Sequence, residues 1–482
     1  MSVSAGSTRR GSEARVFGAV DLGASGGRVM AGVVDGGHVG LTEVHRFANA
    51  IVDRDGHLRW DIRRLYAEVI VGLTALAERF PEAESIGIDT WGVDYALLDS
   101  DGDLIADPIA YRDPRTSAAV DEVHAAVPFE ELFAITGIQM LPINTIYQLA
   151  TEVSSPRWSD TASVVLLPDL IAFWLTGTLR TEVTNASTTA LIDVATRTWS
   201  TRLLDVIGVD PAVFAPFDAP GSRRGTLRAD VRASTGLSGD VVVTTVGSHD
   251  TASAVAAVPM DRRRAAYVSC GTWSLVGVEL DDPLVTDAVR LANFTNEFGV
   301  ADRTRFLRNV GGLWLLQESL RAWAAAGTPV DLVEVLALAA QVPDGGPTVD
   351  VDAAEFVAPG DMPARIHAAV GRKLDPAATT RCVVDSLAVA FATTIDQAAR
   401  LADVSLDTVH VVGGGSRNTL LCRRIAAETG IPVVAGPADA TALGNIVVQA
   451  HARGALAGTI DDARVEIGND QELRRYRPDE IR

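Results

Sequence analysis

Three glycine-bearing stretches hold the side chains with which this sequence could do chemistry. In Gly247-Ser248-His249-Asp250-Thr251 a carboxylate follows a β-branched run and precedes a run of small residues. If a helix occupies 251–258, Asp250 lies at the positive end of its dipole, which keeps a general base ionised and held in place. The structural alternative is a plain N-cap, and locally that reading leads. His249 likewise needs no role beyond hydrogen bonding, and nothing in the sequence pairs it with a nucleophilic serine.

The second stretch is Asp21-Leu22-Gly23-Ala24-Ser25-Gly26-Gly27-Arg28. Its glycines let backbone N–H groups approach an anion closely, and Ser25 adds a hydroxyl donor. A dinucleotide fingerprint needs strand, turn and then helix. Here 28–34 is β-rich and runs into another turn, so the loop joins two strands. A Walker A loop is excluded as well, because Lys373 is the only lysine and does not follow the required glycines. Asp21, at the end of a buried strand, suits either an Asx turn or a Mg²⁺ ion held through water. In the third stretch, Gly413-Gly414-Gly415-Ser416-Arg417-Asn418, three glycines after a strand let a flat ligand such as adenine lie on backbone. A flexible turn explains them equally well.

The elements that must position these residues alternate between strand and helix, so the class is α/β. Strands are expected at 16–21, 28–34 and 39–47, then a helix with Leu65, Val69, Leu73 and Leu76 on its apolar stripe. Further strand candidates are 85–91 and 93–98. A mainly helical region follows to about 204, and a strand at 241–246 leads into the Asp250 stretch. The second half restarts with strands at 266–269 and 273–280 around Cys270-Gly271-Thr272. Strand, short turn and strand thus open both halves. Helices are expected at 313–326 and 383–402. Asn309 and Gln317 are eight residues apart and would share a helix face if that helix began near Asn309. The division expected is a disordered tail over 1–15, domains over 16–258 and 259–458, and a surface tail over 459–482.

Composition narrows the class. The 482 residues exceed one ordinary core, and 47% hydrophobic with 22% charged residues fits a globular chain. No apolar run approaches the ~18 residues of a membrane span, and Arg9-Arg10 is followed by no apolar leader segment. The net charge of −20 opposes sequence-independent nucleic-acid binding. Three scattered cysteines, Cys270, Cys382 and Cys422, fit a reducing cytoplasm better than a disulfide framework or zinc site. No nucleic-acid or membrane partner is therefore expected.

Taken together, the order of the stretches resembles two ribonuclease-H-like domains, of the actin and hexokinase type, closing a catalytic cleft on ATP. The chain is also similar to the FGGY carbohydrate kinases. The similarity rests on AVDLGASGGRVM (19–30), SIGIDTWGVDYALL (85–98), GSHDTASAV (247–255), AAYVSCGTWSLVG (265–277), NVGGLWLLQ (309–317), VVGGGSRNTLL (411–421) and ATALGNIVVQA (440–450). It implies that Asp250 accepts the proton, with Gly92, His249, Thr251 and Asn309 around a small sugar. It also implies that Ala24, Ser25, Gly26, Gly27, Arg28 and Thr272 hold phosphates, and that Gln317 and Gly414 contact the nucleotide. Trp91, Asp94 and Arg112 are further sugar-pocket candidates. One departure is Gly26-Gly27, where Ser-Gly is expected, which removes a hydroxyl donor and leaves the backbone donors. The implied reaction is MgATP-dependent phosphorylation of L-rhamnulose at O1 by a monomer or homodimer, with Asp21 facing Mg²⁺ through water. Other acceptors on the same scaffold (L-fuculose, xylulose, gluconate, glycerol) and a non-catalytic sugar- and nucleotide-binding regulator stay open.

Overall fold

The computed structural model describes residues 14–481, so the expected tail over 1–15 lies almost wholly outside the described residues. Arg15 already begins the first strand. Strands β1 (Arg15–Gly23), β2 (Gly26–Asp35) and β3 (His38–Ala48) form the expected antiparallel meander. Helix α1 (Ile62–Arg79) starts at Asp61, whose side chain accepts from the Arg64 N–H, and buries Leu65, Val69, Leu73 and Leu76. That is the 3.6-residue stripe the sequence predicts. Strand β4 (Ser85–Thr90) then pairs parallel to β1. Strands β5 (Arg223–Thr226) and β6 (Val242–Thr244) complete a six-stranded sheet in the order β5-β6-β4-β1-β2-β3. Between β4 and β5 the helices Ser117–Ala126, Phe129–Thr136, Thr145–Glu152 and Leu167–Thr176 are interrupted by a short strand, Ser163–Leu166.

Helix α2 (Asp250–Ala256) leads into the second half. There β7 (Ala265–Cys270), β8 (Trp273–Leu280), β9 (Thr295–Phe298) and β10 (Thr304–Gly311) precede helix α3 (Trp314–Ala325) and the long α4 (Pro376–Ala402). Strand β11 (Thr408–Val412), helix α5 (Thr419–Thr429), β12 (Val433–Ala435), α6 (Ala440–Ala452), α7 (Ile460–Asp470) and β13 (Arg474–Tyr476) follow. The second sheet runs β9-β10-β8-β7-β11-β12-β13. Its central order, β10-β8-β7-β11-β12, repeats β3-β2-β1-β4-β6 of the first. In each, three antiparallel strands are followed by two parallel ones. The two-domain α/β architecture expected from sequence is therefore present.

Two expectations need correction. Asn309 lies on β10 and Gln317 on α3, so they share no helix face. The segment 459–482 is not a plain tail: α7 opens with a capping box between Thr459 and Asp462, and β13 pairs with β12 at the sheet edge. The long α4 is apolar enough to span a membrane by composition, but 61% of its apolar window is packed inside the second half.

The halves are joined by helix α6, which lies against the first sheet although it belongs to the second half. Its Leu443, Ile446 and Val447 pack with Phe17, Ala19 and Met30, all buried. Burial of each of these side chains other than Ala19 contributes about 1.5–3 kcal/mol. Polar contacts fix the register: Gln449 Nε2 donates to the Gly18 carbonyl at 2.8 Å, and Ser85 Oγ donates to Gln449 Oε1 at 2.7 Å. Gly444 lets α6 cross α2 closely, since a Cβ there would lie 1.7 Å from the Ser253 carbonyl oxygen.

Candidate active site

Between the halves lies a cleft of about 720 Å³. It is lined by the residues to which the resemblance gives roles at the base, sugar, nucleotide or metal: Asp21, Ala24 to Arg28, Gly92, His249 to Thr251, Thr272, Asn309, Gln317 and Gly414. Two hairpins face one another across it. The β1–β2 turn at Ala24-Ser25 is held from behind by Asn49, whose Nδ2 donates to the Gly23 carbonyl at 3.0 Å. Gly27 serves packing there, because a Cβ would fall 2.4 Å from the Phe47 ring. The β7–β8 turn carries Thr272, whose carbonyl accepts from the Trp314 N–H at 3.2 Å and so ties the turn to α3. At the end of β11, Gly413 turns the chain with φ +75°, a conformation that favours glycine. Gly415 packs on Cys270, and Gly414 between them borders the cleft.

Asp250 begins α2 rather than capping it; the cap position is His249, which makes no side-chain capping bond. The carboxylate accepts from Thr251 Oγ1 at 3.0 Å, and 31% of its side chain remains open to the cleft. Burial, with the charge of Asp21 added, raises its pKa above the usual carboxylate value. His249 Nε2 lies 3.5 Å from Asp250 Oδ1. Asn309 is fixed by Gln139 from the opposite half, whose Oε1 accepts from the Asn309 backbone N–H at 2.8 Å and from Nδ2 at 3.1 Å. Gln317 presents a buried Oε1 without a partner.

At the floor, Asp21 and Asp89 are register partners on parallel β1 and β4. Asp89 is fully buried. One of its oxygens accepts from Asn445 Nδ2 of α6 at 2.6 Å, and the other has no partner. Burial first, and Asp21 second, hold Asp89 well above the ordinary carboxylate range. Arg28 does not stand free. Its Nε donates to Asp21 Oδ2 at 2.9 Å and its Nη1 to Asp439, which precedes α6. Against the cost of burial these two carboxylates raise its pKa, so Arg28 bridges the halves while bordering the cleft.

Of the further sugar-pocket candidates only Trp91 lines the cleft. Asp94 sits behind it, accepting from Trp60 Nε1 at 2.6 Å and Trp91 Nε1 at 2.9 Å, and burial raises its pKa to about 6. Arg112 instead closes the rim. Its guanidinium lies 4.0 Å from the ring centre of Trp314 and donates to the Val357 carbonyl at 2.8 Å. Sequence reasoning missed Asp89, Gln139, Glu297, Arg305 and Asp439. Asp89 stood in a quoted stretch, but only strand pairing brings it beside Asp21.

Open carboxylate, paired hairpins and glycine-backed strand end define a two-domain site for moving an anionic group onto a small polar acceptor. The chain matches the N-terminal domain of the FGGY family of carbohydrate kinases over 16–257 and the C-terminal domain over 266–453, and it belongs to that family. It is 39% identical over 474 residues to a rhamnulokinase of Bacteroides thetaiotaomicron, covering 96% of each chain. It is 40% identical over 469 residues to a rhamnulokinase of Klebsiella pneumoniae, covering 95% of this chain and 94% of that one. Among solved structures, a gluconate kinase from Lactobacillus acidophilus superposes with a TM-score of 0.77 at 17% identity, over 97% of this chain and 94% of that one. A xylulose kinase from the same organism gives 0.76 at 17% identity, over 96% and 94%. The chain is thus a sugar kinase, with ATP as co-substrate.

Proposed function

We propose that this kinase transfers the γ-phosphoryl group of ATP to the 1-hydroxyl of L-rhamnulose, giving L-rhamnulose 1-phosphate and ADP, with Asp250 as general base. The observation that carries the reading is the open Asp250 carboxylate on the floor of a cleft whose two walls are phosphate-type hairpins. The relatives' shared name supplies the acceptor. In the transfer the sugar oxygen bonds to the γ-phosphorus as the bond to the β-bridging oxygen breaks, and the hydroxyl proton passes to Asp250. The hydroxyl becomes acidic only as the new bond forms, so a carboxylate is a sufficient base.

In this reading Gly92, His249, Thr251 and Asn309 hold the sugar. Ala24 to Gly27 and Thr272 offer donors to the phosphates, and Gln317 and Gly414 meet the nucleotide. Arg28, already paired, contributes chiefly by tying the halves together. The sugar-holding half would be 16–258 and the nucleotide-holding half 259–458. Contacts across the cleft at Arg112 and Gln139 support water exclusion, which stops water competing as acceptor.

The donor set fits Mg²⁺. The cleft lining carries more carboxylates than guanidinium groups, Asp89 keeps an unpartnered oxygen beside Asp21, and the described residues hold no ready group of three ligands. That combination suits an ion kept mostly by water and phosphate oxygens, with Asp21 facing it and Asp89 buried behind Asp21. When bound, the ion neutralises phosphate charge. Cys270, Cys382 and Cys422 are buried free thiols, which supports a cytoplasmic enzyme; we take it to act as a monomer or homodimer.

The test is ADP release with a panel of ketoses and polyols, with phosphorus NMR of the product. L-rhamnulose should give the highest kcat/KM and a 1-phosphate. A clear preference for another acceptor would overturn the assignment.

A further inference from the structure

Behind His249 lies a buried ion pair for which the transfer chemistry gives no task. Arg305 on β10 has no exposed surface, and Glu297 on β9 is nearly as buried. Glu297 Oε2 is 3.0 Å from Arg305 Nη1. Burial opposes the Glu297 charge, but Arg305, with His249 and Asn309 adding to it, holds that carboxyl below its usual range. The guanidinium also donates from Nε to the Phe298 carbonyl at 3.0 Å, and its Nη2 lies 3.0 Å from His249 Nδ1.

A guanidinium can only donate, so the ring nitrogen it meets must accept. Nδ1 then carries no proton, and a neutral imidazole has its proton on Nε2. An imidazolium would set N–H against N–H at that contact. Glu297 Oε2 also lies 3.2 Å from Nδ1 and is the one group that would favour a proton there, but its charge is already matched by Arg305. On the other side of the ring, Nε2 faces Asp250 Oδ1 at 3.5 Å.

We propose that Arg305, clamped by Glu297, is a positioning residue that fixes His249 as the neutral Nε2–H tautomer, a single donor to the sugar beside the Asp250 carboxylate. The proposal rests on the reading of Asp250 as base. A hydroxyl seated against both groups accepts from Nε2–H and points its own proton at Asp250, which selects one orientation of the O–H bond. A neutral ring also leaves the Asp250 charge unpaired, and so basic; an imidazolium there would hold Asp250 as an ion pair.

The direct test is nitrogen NMR of the full-length chain labelled at histidine, with the His249 signals assigned by their loss in His249→Gln. An unprotonated Nδ1 and a protonated Nε2 across the active pH range are expected. A proton on Nδ1, in the other tautomer or the imidazolium, overturns the proposal. The double variant Arg305→Met/Glu297→Met removes both charges, so neither is left buried alone. It should raise the sugar KM roughly tenfold, the scale of one misdirected hydrogen bond, with the ATP KM unchanged. Equal loss toward both substrates marks a merely structural pair and overturns the proposal. If the wild-type chain phosphorylates L-rhamnulose and Asp250→Asn does not, a wrong tautomer sinks this inference alone. A wild-type chain that phosphorylates nothing sinks the functional reading, and the NMR result still decides the tautomer.

Discussion

The two hairpins that face each other across the cleft have the same strand order behind them and different chemistry at their tips. In the first half the neighbouring strand ends are acidic, Asp21 beside Asp89. In the second half Ser269 pairs with Val412, and the chain then runs into Gly413-Gly414-Gly415. One scaffold is thus used twice, with carboxylates on the side proposed to handle charge and protons and bare backbone on the side proposed to take the nucleotide. Asp250 stands on the acidic side, at the start of the helix that leaves the first sheet.

The sharpest way to break that contrast is at the acidic side. Asp250→Asn should lower kcat by about 10²–10⁴-fold, the usual contribution of a general base, while ADP binding and melting temperature stay near wild type. Unchanged turnover in a coupled ADP assay would remove the division of labour. Asp21→Asn should cost roughly 10–100-fold and raise the Mg²⁺ concentration needed for half-maximal rate, as expected for a group acting on the ion through water. On the neutral side, Gly415→Ala would set a Cβ 2.3 Å from Cys270 Sγ. Its cost should be about 1–3 kcal/mol of stability, with a raised KM for ATP and an unaltered sugar KM. A sugar-side defect instead would show that the halves are not separable.

The pH profile is the mildest probe. Because burial and Asp21 raise the Asp250 pKa, the base is lost as pH falls through a value above the ordinary carboxylate range. The acid limb of kcat/KM should therefore lie above that range, and in Asp21→Asn it should move toward lower pH. A limb that does not move would detach Asp21 from Asp250.

Much of this comparison was legible in the sequence, for local reasons. The meander follows from glycine turns between β-branched runs, and α1 from a 3.6-residue stripe. What escaped was long-range. Glu297 and Arg305 are an acid and a base eight residues apart on adjacent strands, and only the β9–β10 register sets them behind His249. Asp439 gains meaning only when α6 is laid against the first sheet. The error at Asn309 has a structural cause: 304–311 pairs as a strand with β8 and β9, and Gly311-Gly312 separates it from the helix that holds Gln317. The end of the chain carried a readable signal as well. Ile460, Ala463, Arg464 and Ile467 are spaced as a buried helix face, hidden among charged neighbours.

The measurement that tests the central claim most directly is a crystal structure with L-rhamnulose and a non-transferable ATP analogue bound together. The account predicts the sugar O1 within ~2.6–3.2 Å of an Asp250 carboxylate oxygen, in line with the γ-phosphorus between the two hairpins. A sugar that turns a different hydroxyl to Asp250, or binds with O1 out of its reach, would contradict it.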